Sequence, residues 1–342
     1  MKPRSGLESS QRRVVFGQPV VEQFRDPAGY VASVELQAAV DVALLLGMPL
    51  LITGDPGSGK TSVAAWLAWS LSLGTPLVHN VKSTTTGREL LYEFDDLARF
   101  RDAQAGGDID PTKYLRLNAL GEAILRSGDP LELLDMPSLA ARGSPRAAPL
   151  TRGDFLRVAK HRGGTEDQVG LRQVVLIDEL DKAPRDTPND LLHEILEMRF
   201  WIREIDVWIR GDPALRPVVI IASNSEKNLP EPFLRRCVFH HIAKPDADAR
   251  RAIVERRMHP FARNTDLFDA AMRLFDQLAN DLGRAPGTAE LLAWLTVLQA
   301  RWQVAREDDR KKLINLAKGT LGALAKTKVD LERAEATLAS SS

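Results

Sequence analysis

Two periods of apolar and polar residues run along this chain, and the switch between them divides it. Residues 33–46, SVELQAAVDVALLL, carry apolar side chains at helical spacing behind a serine and stop at Gly47, which predicts a capped helix. The run Leu50-Leu51-Ile52 predicts a buried strand, and residues 62–73 predict a helix after it. TPLVHNV, 75–81, predicts a second buried strand. In residues 88–104, Leu90, Leu91, Phe94, Leu97 and Phe100 fall near a helical period and predict one charged amphipathic helix. Residues 113–127 predict another.

From 128 to 170 the composition shifts toward Gly, Pro and Arg, which predicts a long, partly mobile insertion with one short helix near 152–161. Beyond it, QVVLIDEL (173–180) is an apolar run ending in acids, 188–198 predict a helix, and RFWIREIDVWIRGD alternates as a β-hairpin does. Within that alternation Trp201 and Trp208 stand an odd number of residues apart. This predicts opposite faces, one indole in the core and the other open to a neighbouring subunit or a substrate. RPVVIIASN, 216–224, predicts a strand with a polar end. After Pro245 the strand period stops and helical spacing takes over, with breaks near His259-Pro260 and at 284–287. The pattern therefore predicts a flexible arm at 1–13, an α/β domain over 14–244 and an all-α domain over 245–342, with no internal repeat.

Composition narrows the class. Of 342 residues 44% are hydrophobic, enough for a sizeable core and against global disorder. Lys and Arg total 46 and so do Asp and Glu, so net charge gives no argument for a dedicated nucleic-acid or membrane surface. Cys237 is the only cysteine, which excludes an intrachain disulfide and suits a reducing compartment. The first residues are polar, without the apolar core of a secretory signal. The most apolar early stretch is interrupted by Asp41 and is too short to span a membrane. The expectation is a soluble, cytoplasmic protein without a membrane partner.

Candidate chemistry begins at GDPGSGKT, which fits G-x-x-x-x-G-K-[ST] between an apolar strand and a helix. Here Gly54, Asp55, Pro56, Gly57, Ser58, Gly59, Lys60, Thr61 and Ser62 form a candidate nucleotide-binding set. The glycines let backbone N–H groups close around an anion at a helix N-terminus. Lys60 would reach the terminal phosphates, and the Thr61 hydroxyl would hold Mg²⁺. Downstream, Asp178 and Glu179 end a buried strand where α/β sheets bind ligands. Asp178 is the candidate metal ligand and Glu179 the candidate base that polarises the attacking water. Asp181 reads as a loop cap. Asn224, at the end of the next strand, is placed to orient that water or touch the γ-phosphate, or simply to open a turn. Arg235 and Arg236 read either as a solvated basic pair or as an arginine finger for a neighbouring copy's site, which requires head-to-tail assembly.

GDPGSGKT, LIDELDKAP, IIASN and LPEPFLRRC, in this order and spacing, resemble AAA+ ATPases over about residues 28–300. More narrowly the chain resembles the MoxR-type branch, through the helix leading straight into the phosphate loop, the segment 88–104 at the place of a helix-2 insertion, and the alternating segment before the third apolar strand. That resemblance implies a P-loop NTPase αβα sandwich with a parallel five-stranded sheet, followed by an all-α lid domain. It assigns Lys60 and Thr61 to Walker A, Asp178 and Glu179 to Walker B, Asn224 to sensor 1, and Arg236, with Arg235 as substitute, to the finger. Arg284 is the nearest match to sensor 2, although it lies upstream of Pro286-Gly287 and not inside the following helix. ATP and Mg²⁺ are the implied cofactors. A homo-oligomeric, hexameric ring acting as a chaperone-like remodeler on a protein partner, such as a von Willebrand A-domain protein, is the implied role. Three alternatives stay open: a nucleotide-dependent assembly switch or scaffold, as in defence modules, a nucleic-acid-dependent ATPase, and a small-molecule kinase.

Overall fold

A computed structural model describes residues 26–106, 110–134, 150–158, 170–224, 229–262, 265–304 and 309–340. The chain forms two compact units. One comprises Ala32–Gly54 and Lys60–Ile242, and the other Asp55–Gly59, the described residues before 32 and those after 242.

In the first unit the strands are, in chain order, β1 (Leu50–Gly54), β2 (Leu77–Asn80), β3 (Tyr92–Phe94), β4 (Leu115–Leu117), β5 (Val174–Asp178), β6 (Arg199–Ile202), β7 (Val207–Arg210), β8 (Val218–Ser223) and β9 (Val238–Ile242). Its helices are α1 (Val34–Leu46), α2 (Lys60–Ser70), α3 (Asp96–Gln104), α4 (Ala119–Arg126), α5 (Arg152–Val158), α6 (Thr187–Glu197) and α7 (Glu231–Leu234). The main sheet runs β2-β5-β8-β1-β9 with every neighbouring pair parallel. Successive strand residues face opposite sides. Leu51, Val175, Ile177, Val219 and Ile221 join one continuous core with Ala123 and Ile124 of α4 and Leu191 and Ile195 of α6. Leu50, Ile52, Leu176, Ile220 and Ala222 are buried on the other side, where α1 and α2 pack. With both faces covered, the strands read as apolar runs instead of alternating. The unit is an αβα sandwich around a parallel five-stranded sheet.

Local signals explain several boundaries. Ser33 Oγ accepts the Leu36 N–H at the start of α1, and Gly47, at φ 63°, ends it in the left-handed region that glycine tolerates. Gly121 answers a close approach, since a Cβ there would collide with the Leu91 carbonyl oxygen.

Two segments differ from expectation. Residues 88–104 are not one helix: a 3₁₀ turn at Arg88–Leu90 leads into β3, and only Asp96–Gln104 is α-helical. Leu90, Leu91 and Tyr92 are buried in succession, which no single helical face allows. The Tyr92↔Leu117 and Phe94↔Leu115 antiparallel pairing overrides the period, and Asp95 caps a fresh start by accepting the Ala98 N–H. As a result Leu97 and Phe100 lie exposed on α3. Residues 113–127 likewise divide, into the turn Pro111–Tyr114, β4 and α4. β9 is a strand that the apolar pattern did not mark, because its polar pair His240-His241 sits on a sheet edge where burial is partial.

Part of the expected insertion packs into the core, through the short helix the sequence predicts near 152–161. Phe155 and Leu156 of α5 lie in the main core. Arg152, 1% exposed, donates to Leu125 O at the end of α4, to Arg210 O in β7 and to Glu132. The rest of that expected insertion, 135–149 and 159–169, lies outside the described residues, as does the expected arm 1–13.

The second unit is helical after Pro245, as its period predicts: α8 (Ala247–Arg257), α9 (His259–Ala262), α10 (Thr265–Asp281), α11 (Thr288–Val304), α12 (Asp309–Lys318) and α13 (Lys328–Ser340). They bury one core of Phe268, Phe275, Leu291, Trp294, Leu298 and Leu338. The Trp294 indole donates to Thr320 Oγ1 at 3.0 Å, so its polar edge is satisfied inside that core.

Candidate functional site

In the first unit, β1 ends at Gly54 and α2 begins at Lys60. Lys60 is 7% exposed, and its ammonium donates to Gly54 O at 2.7 Å. A buried ammonium needs such an acceptor. Thr61 Oγ1 donates to Asp178 Oδ2 at 2.9 Å, although 117 residues separate them. The structure therefore sets Thr61 against Asp178, with Lys60 the residue before it in α2. Asp178 closes β5 in register with Asn80 of β2, and its carbonyl accepts the Val81 N–H.

Glu179 follows in a left-handed conformation, φ 61° and ψ 41°, which non-glycine residues adopt at a cost of order 1 kcal/mol or more. It turns the carboxylate off the strand axis into the 3₁₀ turn Leu180–Lys182, where Lys182 Nζ meets Glu179 Oε2 at 2.6 Å. Sequence reading missed Lys182, and its only signal is a lysine three residues after the acid. Asp181, read as a loop cap, has a longer reach: its Oδ1 accepts the backbone N–H of Asn224 at 3.2 Å. That bond ties the ends of β5 and β8 together and sets where Asn224, which is exposed, can project.

Arg235 and Arg236 follow α7, which is anchored by the fully buried Phe233. The two arginines differ. Arg235 is ion-paired to Glu231 of its own helix. The Arg236 side chain is exposed and makes no hydrogen bond or ion pair among the described residues. Neither bonds to Lys60, Thr61, Asp178 or Glu179. Cys237, half-buried beside them, has its thiol pushed up to about 12 by burial, so it is inert as a nucleophile.

In the second unit, Asp55–Gly59 forms the loop proper. Gly57 and Gly59 have φ of 80° and 92°, and the Ser58 N–H closes a turn on Asp55 O at 3.1 Å. A cavity of about 460 Å³ is lined by Asp55, Pro56 and Ser58 together with Lys244, Arg250, Arg284 and Glu290. Lys244 meets Asp55 Oδ2 at 3.2 Å, and Glu290 Oε2 accepts the Gly287 N–H at 2.9 Å. Arg284 thus shares a cavity with loop residues from its position before α11. Lys244, Arg250 and Glu290 were not singled out in the sequence. Nor was Tyr30, whose ring lies 3.6 Å from where a Cβ on Gly59 would be, and whose phenol is pushed up to about 12 by burial.

The residues present fit a phosphate ligand. Ser58 Oγ is buried with no hydrogen-bond partner among the described residues, beside backbone whose positive φ values leave N–H groups free to converge. Among the described residues no cluster of three or more His, Cys, Asp or Glu is arranged to hold a metal by itself. One hydroxyl and one carboxylate, Thr61 and Asp178, suit Mg²⁺ that arrives with phosphate oxygens and keeps its waters.

No protein-family model matches the chain, and no curated protein matches it. Among solved structures it is similar to three point mutants of RuvB from Thermotoga maritima. The first shows 17% identity and a TM-score of 0.42, over 84% of this chain and 67% of that one. The second shows 14% identity and a TM-score of 0.45, over 84% and 67%. The third shows 16% and 0.43, over 87% and 69%. Scores of this order assign no residue a role.

Proposed function

We propose that the chain is a Mg·ATP-dependent ATPase of the AAA+ class and the MoxR-type branch. In this reading it works as a cytoplasmic hexameric ring that remodels a protein partner, such as a von Willebrand A-domain protein. The observation that carries the reading is the 2.9 Å bond between Thr61 and Asp178, which sets the hydroxyl and the carboxylate of a P-loop site side by side from the helix after β1 and the end of β5, two strands that are not neighbours. Thr61 and Asp178 would hold Mg²⁺, which would supply positive charge against that of the phosphates. The protein's own part is positional. Loop N–H groups and Lys60 hold the phosphate oxygens, Thr61 and Asp178 fix the metal side, and Glu179 takes a proton from the attacking water while Asn224 orients it. The membrane plays no part in this reading, and no helix among the described residues is long and apolar enough to cross one.

The finger assignment favours Arg236, because Arg235 is already engaged by Glu231. Arg236→Ala is expected to lower turnover by about a thousandfold or more and Arg235→Ala by under about fivefold, with ATP affinity retained in both. Phosphate release across a protein dilution series measures this. Wild-type turnover in Arg236→Ala, or turnover per chain independent of concentration, would count against a site shared between copies.

One observation favours a second reading, a slow nucleotide switch or scaffold: Lys182 restrains the Glu179 carboxylate. Both side chains are half exposed, so solvent screens the pair and its worth is at most about 1 kcal/mol. Lys182→Met is therefore expected to raise turnover by about two- to fivefold, and Lys182→Arg to leave it unchanged, in a steady-state assay. Lower turnover in the Met variant would mean that Lys182 assists the site instead of restraining it.

A further inference from the structure

The β6–β7 hairpin corrects the expectation for Trp201 and Trp208. The turn at 203–206 resets the parity, so the two indoles are direct cross-strand partners on the same face. Neither is in the core: they are 45% and 49% exposed, with ring centroids 6.4 Å apart and planes within 19° of parallel. The opposite face, Phe200, Ile202, Val207 and Ile209, is buried in the main core, so the exposed face rests on a rigid base.

Around the indoles the exposed face carries arginines, of which Arg203 is paired to Glu204 at 3.3 Å. Arg199, Trp201 and Arg203 alternate along β6 and just past it, and Trp208 and Arg210 along β7. Arg199 stands directly opposite Arg210, a like-charge pair that destabilises a ladder. The Arg199 guanidinium lies 5.7 Å from the Trp208 ring centroid and 3.5 Å from Glu197. That of Arg210 makes no ion pair among the described residues. Trp201 Nε1 donates to Asp206 Oδ1 at 3.1 Å, which holds that ring in place.

We propose that this hairpin face binds single-stranded nucleic acid, with bases stacking on Trp201 and Trp208 and phosphates held between Arg199 and Arg210. A nucleotide chain brings a flat π-face and an anion in every repeat. The hairpin offers a ring and a cation in alternation, about 6.6 Å apart along each strand. An acidic peptide would satisfy the arginines but supplies no plate for the indoles. An anion between Arg199 and Arg210 also removes the repulsion that the bare ladder carries. The balanced net charge does not oppose this, because only the pairing of β6 with β7 brings these arginines together. The inference is independent of the proposed ATPase activity, since it is read by binding alone.

The test uses the full chain and a fluorescein-labelled oligothymidylate of about 16 nucleotides, the upper size for one platform of this kind. Saturable binding that weakens with salt is expected, with duplex of the same length binding more weakly. Trp201→Ala and Trp208→Ala should each weaken it by about fivefold or more, while the tyrosine variants keep most of it. Arg210→Gln should lower the salt slope by about 0.7, the share of one neutralised phosphate on a single strand. Circular dichroism and melting curves check that each variant is folded. No saturable binding, binding unchanged in both folded alanine variants, or displacement by polyglutamate as readily as by unlabelled oligothymidylate would each overturn the proposal. The last would assign the face to an acidic protein segment.

Discussion

Glu179→Gln is expected to slow ATP turnover by about 100- to 10,000-fold, the scale on which a positioned general base contributes, while ATP still binds. The amide matches the carboxylate in size and keeps a hydrogen bond to water, but it cannot accept the proton. The strained left-handed backbone at 179 is the same in both forms, so folding stability should hardly change. Binding is expected to survive because the phosphate-holding groups, Lys60 and the loop N–H groups, are untouched. Phosphate release under saturating ATP and equilibrium titration with a fluorescent nucleotide give the two numbers. A variant that binds ATP and still turns over at the wild-type rate would remove Glu179 from the base role, leaving Asp181 as the nearest other carboxylate in the same turn.

Arg152→Ala is expected to destabilise the first unit by about 3 kcal/mol or more, the largest stability effect among the polar residues discussed. Arg152 is 1% exposed and fully enclosed, and it bonds to two backbone carbonyls, Leu125 O at 3.2 Å and Arg210 O at 2.8 Å. Alanine removes the guanidinium donor from both carbonyls, of which Leu125 O keeps the Gly128 N–H at 3.4 Å, leaves Glu132 without its partner, and opens a cavity beside α4, every residue of which is buried. For a unit of this size the loss corresponds to a melting point lower by roughly 6–12 °C. Lysine is a poor replacement, since one ammonium cannot reproduce the planar fork that reaches separate elements. Arg157→Ala, which removes an exposed pair with Asp154 one helical turn away, should change the melting point little. Equal effects of the two substitutions in thermal melts would mean that the enclosed bonds of Arg152 are not what holds α5 to the sheet.

Much of the fold was legible because burial writes itself into short runs. β1, β5 and β8 are covered on both faces, so they open on unbroken apolar runs that stand out at any register and turn polar only at their ends. The helices after Pro245 are legible for the complementary reason, since each turns one stripe toward a shared core. Legibility failed where partners are distant in sequence. Tyr92 pairs with Leu117 across a helix, and that pairing outweighs a local helical period that Leu97 and Phe100 complete in the sequence alone. β9 failed for lack of signal, because an edge strand carrying two histidines resembles a turn.

For the candidate site, the sequence by itself determined the residue types and their order: the glycine loop, Lys60 and Thr61, an acid pair after an apolar run, an amide after the next, and two arginines. Those follow from chemistry that tolerates few substitutes and from strands that must end where ligands are held. Only the tertiary structure decided which of them meet and what restrains them. Thr61 reaches Asp178 across the intervening strand β8, Lys182 holds Glu179, Asp181 holds the backbone of Asn224, and Glu231 engages Arg235 but not Arg236. The hairpin shows the same division: alternation was visible in the sequence, but a turn shifts parity, and only strand pairing put both indoles and two facing arginines on one exposed surface. The physical reason is common to all of these. A sequence pattern records how buried each position is, whereas the meeting of two side chains depends on register and on distances set by elements far apart in the chain.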